Sequence, residues 1–242
     1  MLLALLAGWQ WVMPSLVPTG PGFLPLPGDV ATGFASLLAR AEFWRSVATS
    51  LARVLAGFAA AAAVGAPLGI GMGVSRRLAG LLDLTLEALR PLPAMAWIPI
   101  AILWFGVGDV SSVFLVGLGA FFPIVLNSAA GARATGQAYR RAALTLGAGP
   151  WLRFRRVTLP GALPHVLLGC RVGLGVGWMV IVSAEMVGAQ SGLGFLIMAA
   201  RSFARIDWVV DAMIVIGLIG IGLDTAIERV QHRAAPWWGR AA

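Results

Sequence analysis

Long apolar stretches, separated by short segments that carry most of the charge, constrain this chain more than any other feature. A helix that crosses the hydrocarbon core of a bilayer needs about 20 predominantly apolar residues. Only 12% of the 242 residues are charged, whereas soluble domains carry about a quarter. The sequence therefore predicts an all-α, polytopic transmembrane helical bundle. The predicted spans are residues 47–74, 81–105, 111–130, 163–187 and 209–227.

The first residues, MLLALLAGWQWVMP, are apolar but short for a full crossing. They also lack the basic start of a secretory signal peptide. We interpret residues 1–24 as a short or truncated first transmembrane segment. With it, the expected bundle has about six helices in a single domain over residues 1–242. Pro91, Pro93 and Pro99 are expected to break the 81–105 span.

The arginines indicate the orientation of the spans, because cytoplasmic loops of membrane proteins carry an excess of positive charge. With alternating spans, twelve arginines fall on one side, near residues 76–90, 133–156 and 229–240. That side is predicted to be cytoplasmic. The chain has no lysine and its arginines are dispersed, which argues against nucleic-acid binding. The arginines expected on the outer side are Arg40, Arg45, Arg201 and Arg205.

The longest predicted cytoplasmic loop, residues 133–162, contains RRAALTLGAGPWLRFRRVTLP. Gly147 and Gly149 are expected to end a first short helix, and Pro150 can open a second one. We expect Pro160 to close that second helix. Apolar residues interleave with arginines, so the pair of helices is amphipathic. This pattern fits either an interfacial helix on anionic lipid or a docking surface for a cytoplasmic partner.

The loop also carries a spaced motif: two alanines, three residues, a glycine, nine residues, a valine, one residue, then leucine and proline. This spacing resembles the EAA loop of ABC importer permeases, except that arginine stands where that family usually has glutamate. The segments ALRPLPAMAWIPIAILWFGVGD, GAFFPIVLNSAAG and SAEMVGAQSGLGFLIMAAR resemble the nitrate/sulfonate/taurine-type branch of these permeases. The motif positions are Arg141, Ala142, Ala143, Gly147, Val157, Leu159 and Pro160.

The resemblance implies a fold like that of type I ABC importer permeases and a multi-pass protein of the bacterial inner membrane. In that family the EAA loop fits a cleft of a cytoplasmic ATPase and transmits its movement to the spans. The implied partners are two ATPase subunits that hold ATP and magnesium, a second copy of this chain in a homodimer, an extracytoplasmic substrate-binding protein and the lipid bilayer. No cofactor is expected on this chain. The implied solute is a sulfonate, taurine, nitrate or a similar small anion.

Charged residues within predicted spans are costly and usually functional. They are candidates for the translocation pathway or its gate, although snorkelling or a mutual ion pair would also explain them. Closer to the cytoplasmic side, Asp83 is expected to pair locally with Arg76, Arg77 or Arg90. The pathway or gate candidates are Arg53, Arg171 and Glu185.

Glycines recur every four residues at 65–73 and at 169–177. Such rows allow helix backbones to approach closely in lipid, and we expect them to mark helix contacts.

Other functional classes find less support in the sequence. There is no GxxxxGK[ST] phosphate loop and no nucleophile–base pattern, so the chain is predicted to be a permease and not an enzyme. His165 and His232 are far apart, and no metal site is expected. The alternative function is a secondary transporter that works without an ATPase, but these proteins tend to show repeated halves. A membrane scaffold would not need the spaced loop motif.

Overall fold

The computed structural model describes residues 8–12, 25–135 and 137–235, and the regular structure within these ranges is helical. This confirms the predicted all-α class. A 3₁₀ turn, Ala94–Trp97, precedes the fourth helix named below. From residue 25 onward the helices are α1 (Pro27–Leu38), α2 (Ala41–Val74), α3 (Arg76–Leu89), α4 (Ile98–Phe105), α5 (Asp109–Ala134), α6 (Gln137–Thr145), α7 (Pro150–Gly188), α8 (Leu193–Ser202) and α9 (Ile206–Ala234).

Four of these helices, α2, α5, α7 and α9, are long and apolar enough to cross a membrane. Helix α3 and the segment Ala94–Phe105 meet the same criterion together, although they are bent by 84° relative to each other. The described residues therefore contain four spans, or five if the bent pair is one span. The predicted first segment, residues 1–24, lies outside the described residues except for residues 8–12.

Two of the three prolines in the 81–105 span produce the bend. Pro91 and Pro93 come directly after α3, where proline cannot donate a backbone hydrogen bond and disfavours helix in the residue before it. Pro99 does not interrupt α4, because it lies in the first turn of that helix. Backbone N–H groups in a first turn have no partner within the helix, so proline is tolerated there.

Helix α5 lies between α2 and α7, and glycines bring the three backbones together. A Cβ atom at Gly69 of α2 would collide with the carbonyl oxygen of Val125. A Cβ atom at Gly173 of α7 would lie 2.9 Å from the carbonyl oxygen of Ala120. Both distances are shorter than an ordinary van der Waals contact, so a side chain larger than hydrogen would not fit at either glycine. The predicted close packing along the glycine rows is therefore confirmed.

The ion pair predicted for Asp83 is wrong in its partner. The nearest cation is Arg133 of α5, whose terminal nitrogen lies 3.4 Å from the Asp83 carboxylate. Helix α3 packs its apolar face against α2 and α5, with Leu86 close to Val125. This packing places Asp83 beside the C-terminal end of α5, so its partner comes from another helix and not from its own.

Helices α1, α8 and α9 pack around the N-terminal part of α2 and the C-terminal part of α7, on the side of the bundle that was predicted to face outward. Their contact is an apolar cluster in which Leu37 of α1, Leu193 of α8 and Val215 of α9 are buried. Trp178 of α7 belongs to this cluster, and its indole N–H donates to the carbonyl oxygen of Ile216 at 3.0 Å. The outer ends of α2, α7, α8 and α9 are therefore held together.

Candidate functional site

The loop that was predicted to be cytoplasmic forms two helices joined by a tight glycine turn. Helix α6 ends at Thr145, and the N–H groups of Gly147 and Ala148 donate to the carbonyl oxygens of Leu144 and Ala143, both at 2.9 Å. Gly147 has a φ of 75°, a left-handed conformation that side chains with a Cβ atom disfavour. The glycine thus permits the chain to reverse before Pro150 opens α7.

The expectation that Pro160 closes the second helix is wrong. Helix α7 runs without interruption from Pro150 to Gly188. The reason is a π-helical turn over Phe154–Thr158, in which the N–H of Leu159 donates to the carbonyl oxygen of Phe154. This wider turn comes immediately before Pro160 and accommodates a residue that has no N–H to donate. The loop is consequently continuous with a membrane span.

Several apolar side chains of this loop are exposed despite its many arginines. Leu146 is 86% exposed and Trp151 is 70% exposed, and the Trp151 ring stacks on Phe154 with 5.8 Å between centroids. Beside them is a groove of about 670 Å³. Its lining includes three of the motif residues, Ala142, Ala143 and Val157, whereas Leu159 and Pro160 do not line it. The fold thus brings part of the motif to one surface.

Two of the three intramembrane charges meet near the outer ends of α2 and α7. A terminal nitrogen of Arg53 lies 2.8 Å from a carboxylate oxygen of Glu185. Arg53 is 4% exposed and Glu185 is 1% exposed. The Nε of Arg53 also donates to the carboxylate of Asp109 at 2.8 Å, and its terminal nitrogens donate to the backbone oxygen and hydroxyl of Ser191. We call these residues, with Ser50, the outer polar cluster.

The outer polar cluster also caps the first turn of α8. The N–H of Gly194 donates to Glu185 at 3.0 Å, and the N–H of Leu193 donates to the Ser50 hydroxyl at 2.9 Å. The preceding Gly192 has a φ of 108° and supplies no side-chain cap of its own. Orphan N–H groups at a helix start need such acceptors. Glu185 and Ser50 thus attach α8 to α7 and α2.

Arg171 lies in a separate cluster. Its guanidinium forms two hydrogen bonds of 2.7 Å with Asp224 and a third of 3.0 Å with Glu228, both on α9. Arg171 therefore joins α7 to α9 and does not contact the outer polar cluster. The sequence showed the charges of both clusters but not their pairing, because the partners lie more than 50 residues apart.

A cavity of about 640 Å³ lies between the bent pair, α5 and α7. Arg90 and Pro93 line it at the bend, Asn127 lines it from α5, and Val172 and Met179 line it from α7. None of the predicted pathway residues lines this cavity. The prolines of the 81–105 span predicted the break beside this cavity but not its walls, since these depend on the 84° bend.

The membrane spans, the broken pair and the helix–turn–helix between α5 and α7 define the class of the protein: a multi-pass helical membrane protein. The model of the family described as "Binding-protein-dependent transport system inner membrane component" matches residues 65–240. The chain belongs to this family and is a multi-pass inner-membrane protein.

Relatives and a solved structure agree with this assignment. The chain is 37% identical to the taurine transport system permease protein TauC of Escherichia coli strain K12, over 98% of this chain and 88% of that protein. It is 34% identical to the putative aliphatic sulfonates transport permease protein SsuC of Bacillus subtilis strain 168, over 96% and 84% respectively. A chain of the inward-facing MetNI methionine ABC transporter shares the fold, with a TM-score of 0.69, 18% identity, and coverage of 80% of this chain and 96% of that one.

Proposed function

We propose that this chain is the membrane-spanning subunit of an ATP-driven importer for a small sulfonate or a similar anion. The names of the relatives, which refer to taurine and aliphatic sulfonates, support this substrate class. Nitrate, as another small anion, remains within the proposal. In this assembly two copies of the chain form the pathway, and an extracytoplasmic binding protein delivers the solute. Two cytoplasmic ATPase subunits bind and hydrolyse ATP with magnesium.

The observation that carries the proposal is the exposed helix–turn–helix on the cytoplasmic side. Apolar side chains exposed together on a soluble surface mark interaction sites, and Leu146 and Trp151 are such side chains here. A short helix that presents apolar anchors suits a groove on a partner. We therefore assign residues 137–158 as the element that docks on the ATPase, with Arg141 in place of the usual glutamate.

The continuity of α7 supports a role in coupling. The helix has 39 residues from Pro150 to Gly188, or about 58 Å at 1.5 Å per residue. One end carries the docking surface and the other carries Glu185. A displacement of the docking surface by the ATPase is therefore transmitted along α7 to the outer polar cluster.

The proposed solute pathway is the cavity between the bent pair, α5 and α7, completed by the second copy of the chain. Its lining is mainly apolar, with Arg90 and Asn127 as polar contributions. In this scheme Arg53 and Glu185 act as an outer gate, because they fasten the outer turn at Ser191 to α2 and α7. Arg171 keeps α9 attached to the moving α7.

The docking surface can be tested by capture of the ATPase. Tagged wild-type protein is purified in mild detergent from its native membrane and assayed for ATP hydrolysis and for a copurifying nucleotide-binding polypeptide. In Leu146→Asp a charge replaces an 86% exposed apolar side chain, so the fold is preserved while docking is lost. Interface anchors contribute 2 kcal/mol or more, which corresponds to a roughly 30-fold loss of affinity for the ATPase.

Leu146→Met is the matched control, because it preserves the apolar surface and should capture the ATPase as the wild type does. Equal capture by Leu146→Asp and by the control would contradict the docking role. Capture of no ATPase by any version, including the wild type, would contradict the proposed function as a whole.

A further inference from the structure

Three of the four arginines expected on the outer side converge on one cavity. The cavity has a volume of about 650 Å³, and Arg40, Arg45 and Arg205 line it. The fourth arginine, Arg201, is not among the lining residues. Outer loops of membrane proteins are normally poor in arginine. Their convergence from positions up to 165 residues apart in the sequence therefore indicates a binding role.

The walls of this outer cavity differ in character. The first turns of α2 contribute Ser46 and Thr49, and the turn before α8 contributes Gln190. Helix α8 and the residue that follows it contribute Phe195 and Phe203. One wall thus offers hydrogen bonds and positive charge, and the other offers apolar contact. A ligand that matches both walls has an anionic head and an apolar body.

Two of the lining cations are held in place by neighbouring side chains. The guanidinium carbons of Arg40 and Arg205 lie 4.5 and 4.3 Å from the centre of the Trp208 ring, which is cation–π distance. Arg205 also donates to Asp207 at 2.6 Å, and this hydrogen bond raises the pKa of Arg205 above its ordinary value. In the described part of the chain, Arg45 takes part in no ion pair.

One acidic residue, Glu42, also lines the cavity, and Asp207 lies beside it with its charge directed to Arg205. Asp211 also acts on Arg205, from outside the cavity. Among the lining residues themselves, three arginines and one carboxylate leave a net positive charge. Guanidinium groups match the oxygens of phosphate and sulfonate groups, which they bind through paired hydrogen bonds.

The cavity lies at the ends of spans, and the ends of membrane spans lie at the depth of lipid headgroups. Arg40 immediately precedes α2, and Trp208 is the third residue of α9, so both stand at the outer ends of predicted spans. Trp44, which is also in the first turn of α2, is exposed, and exposed tryptophans are enriched at the membrane interface. This depth favours a ligand that reaches the cavity from the bilayer.

We propose that the outer cavity binds an oxyanion group carried on an apolar chain, and that its source is an anionic phospholipid of the outer leaflet. The lipid phosphate contacts Arg40 and Arg45, and the start of an acyl chain lies against Phe195 and Phe203. An alkanesulfonate has the same chemistry, an oxyanion on an apolar chain, and is the other source of such a group. The site is separate from the solute cavity, with which it shares no lining residue.

Thermal unfolding of the purified full-length protein in neutral detergent tests this assignment. Phosphatidylglycerol, phosphatidylcholine with the same acyl chains, octanesulfonate and neutral octyl glucoside are titrated separately. We expect phosphatidylglycerol, and not phosphatidylcholine, to raise the melting temperature with saturation. Arg45→Gln should weaken the apparent affinity for phosphatidylglycerol by about tenfold, because it removes a charge-assisted hydrogen bond.

Arg201→Gln is the matched control, since it removes an outer arginine that does not line the cavity, and it should bind like the wild type. Phe203→Ala tests the apolar wall independently and should also weaken binding. If octanesulfonate stabilises the protein in an Arg45-dependent way and phosphatidylglycerol does not, the cavity binds an oxyanion group but the lipid assignment is wrong. The ligand is then a free anion. If Arg45→Gln and Arg201→Gln bind both ligands equally, or neither ligand stabilises the wild type, the assignment is overturned.

Discussion

The packing of α7 against α5 can be tested with the same substitution at two positions of one helix. A Cβ atom at Gly173 would lie 2.9 Å from the carbonyl oxygen of Ala120 and 3.0 Å from a side-chain carbon of Ile124. At Gly175, two residues further on, a Cβ atom would meet nothing within 4 Å. Gly173→Ala should therefore force α7 and α5 apart, whereas Gly175→Ala should be accommodated.

The expected magnitude follows from the difference between the two variants. Both gain the same helix propensity, about 1 kcal/mol for alanine over glycine, so this contribution cancels. Favourable carbon contacts lie at about 3.5–4.0 Å, and the Gly173 position must open by roughly 0.5 Å to reach them. Overpacking of this kind lowers the free energy of unfolding by about 1–3 kcal/mol. Gly173→Ala should be less stable than Gly175→Ala by that amount.

Thermal unfolding in detergent, followed by tryptophan fluorescence, measures the difference. In chains of this size 1 kcal/mol corresponds to about 2–4 °C, so Gly173→Ala should unfold roughly 2–12 °C below Gly175→Ala. Equal melting temperatures would refute the claim that glycine at this position sets the distance between α7 and α5. A selective loss of stability in Gly175→Ala would refute it as well.

Three further outcomes follow from the same structure. Glu185→Gln removes one of the two carboxylates that pair with the buried Arg53 and should lower the free energy of unfolding by about 1.5–3 kcal/mol. An unchanged midpoint of chemical unfolding would contradict this. Gly147→Ala places a Cβ atom at a φ of 75° and should cost about 1–2 kcal/mol and reduce ATPase capture. Gly149→Ala, at a φ of −67°, should do neither, and identical capture by the two variants would show that the turn conformation is irrelevant. Arg133→Gln removes a half-exposed ion pair of 3.4 Å and should change the melting temperature by no more than a few degrees. A larger drop in the melting temperature would mean that this contact holds α3 in place.

Features encoded in short stretches of the sequence were predictable. Apolar runs predicted the spans because about 20 such residues suffice to cross a bilayer. The glycine rows predicted helix contacts because a four-residue repeat lies on one face of a helix. The turn at Gly147 was predictable because glycine and proline have strong local backbone preferences.

Other features depend on contacts between distant residues or on exceptions to local rules. Pro160 has the local signature of a helix end, but the π-helical turn before it keeps α7 continuous. The partner of Asp83 comes from α5, since α3 packs on that helix. The 84° angle at the bend depends on how α4 packs against α5 and α7, which prolines alone do not determine.

The candidate sites also combine features that the sequence predicted with features that only the folded structure reveals. Leu146 and Trp151 were visible in the sequence as apolar residues among arginines, although their exposure was not. Arg53 and Glu185 were visible as unusual charges, but Ser50, Asp109 and Ser191 were missed because ordinary polar residues near span ends carry no signal. The sequence predicted which arginines lie on the outer side but not that any of them meet. The packing of α1, α2, α8 and α9 brings three of them together.

The most direct test of the central claim is uptake of labelled taurine by proteoliposomes that contain the complex captured from the native membrane. The cognate binding protein is supplied outside the vesicles and magnesium with ATP is supplied inside. The proposed function predicts uptake that requires both ATP and the binding protein and that is lost with Leu146→Asp. Uptake driven by an ion gradient in the absence of ATP, by vesicles that contain this chain alone, would contradict it and would identify a secondary transporter.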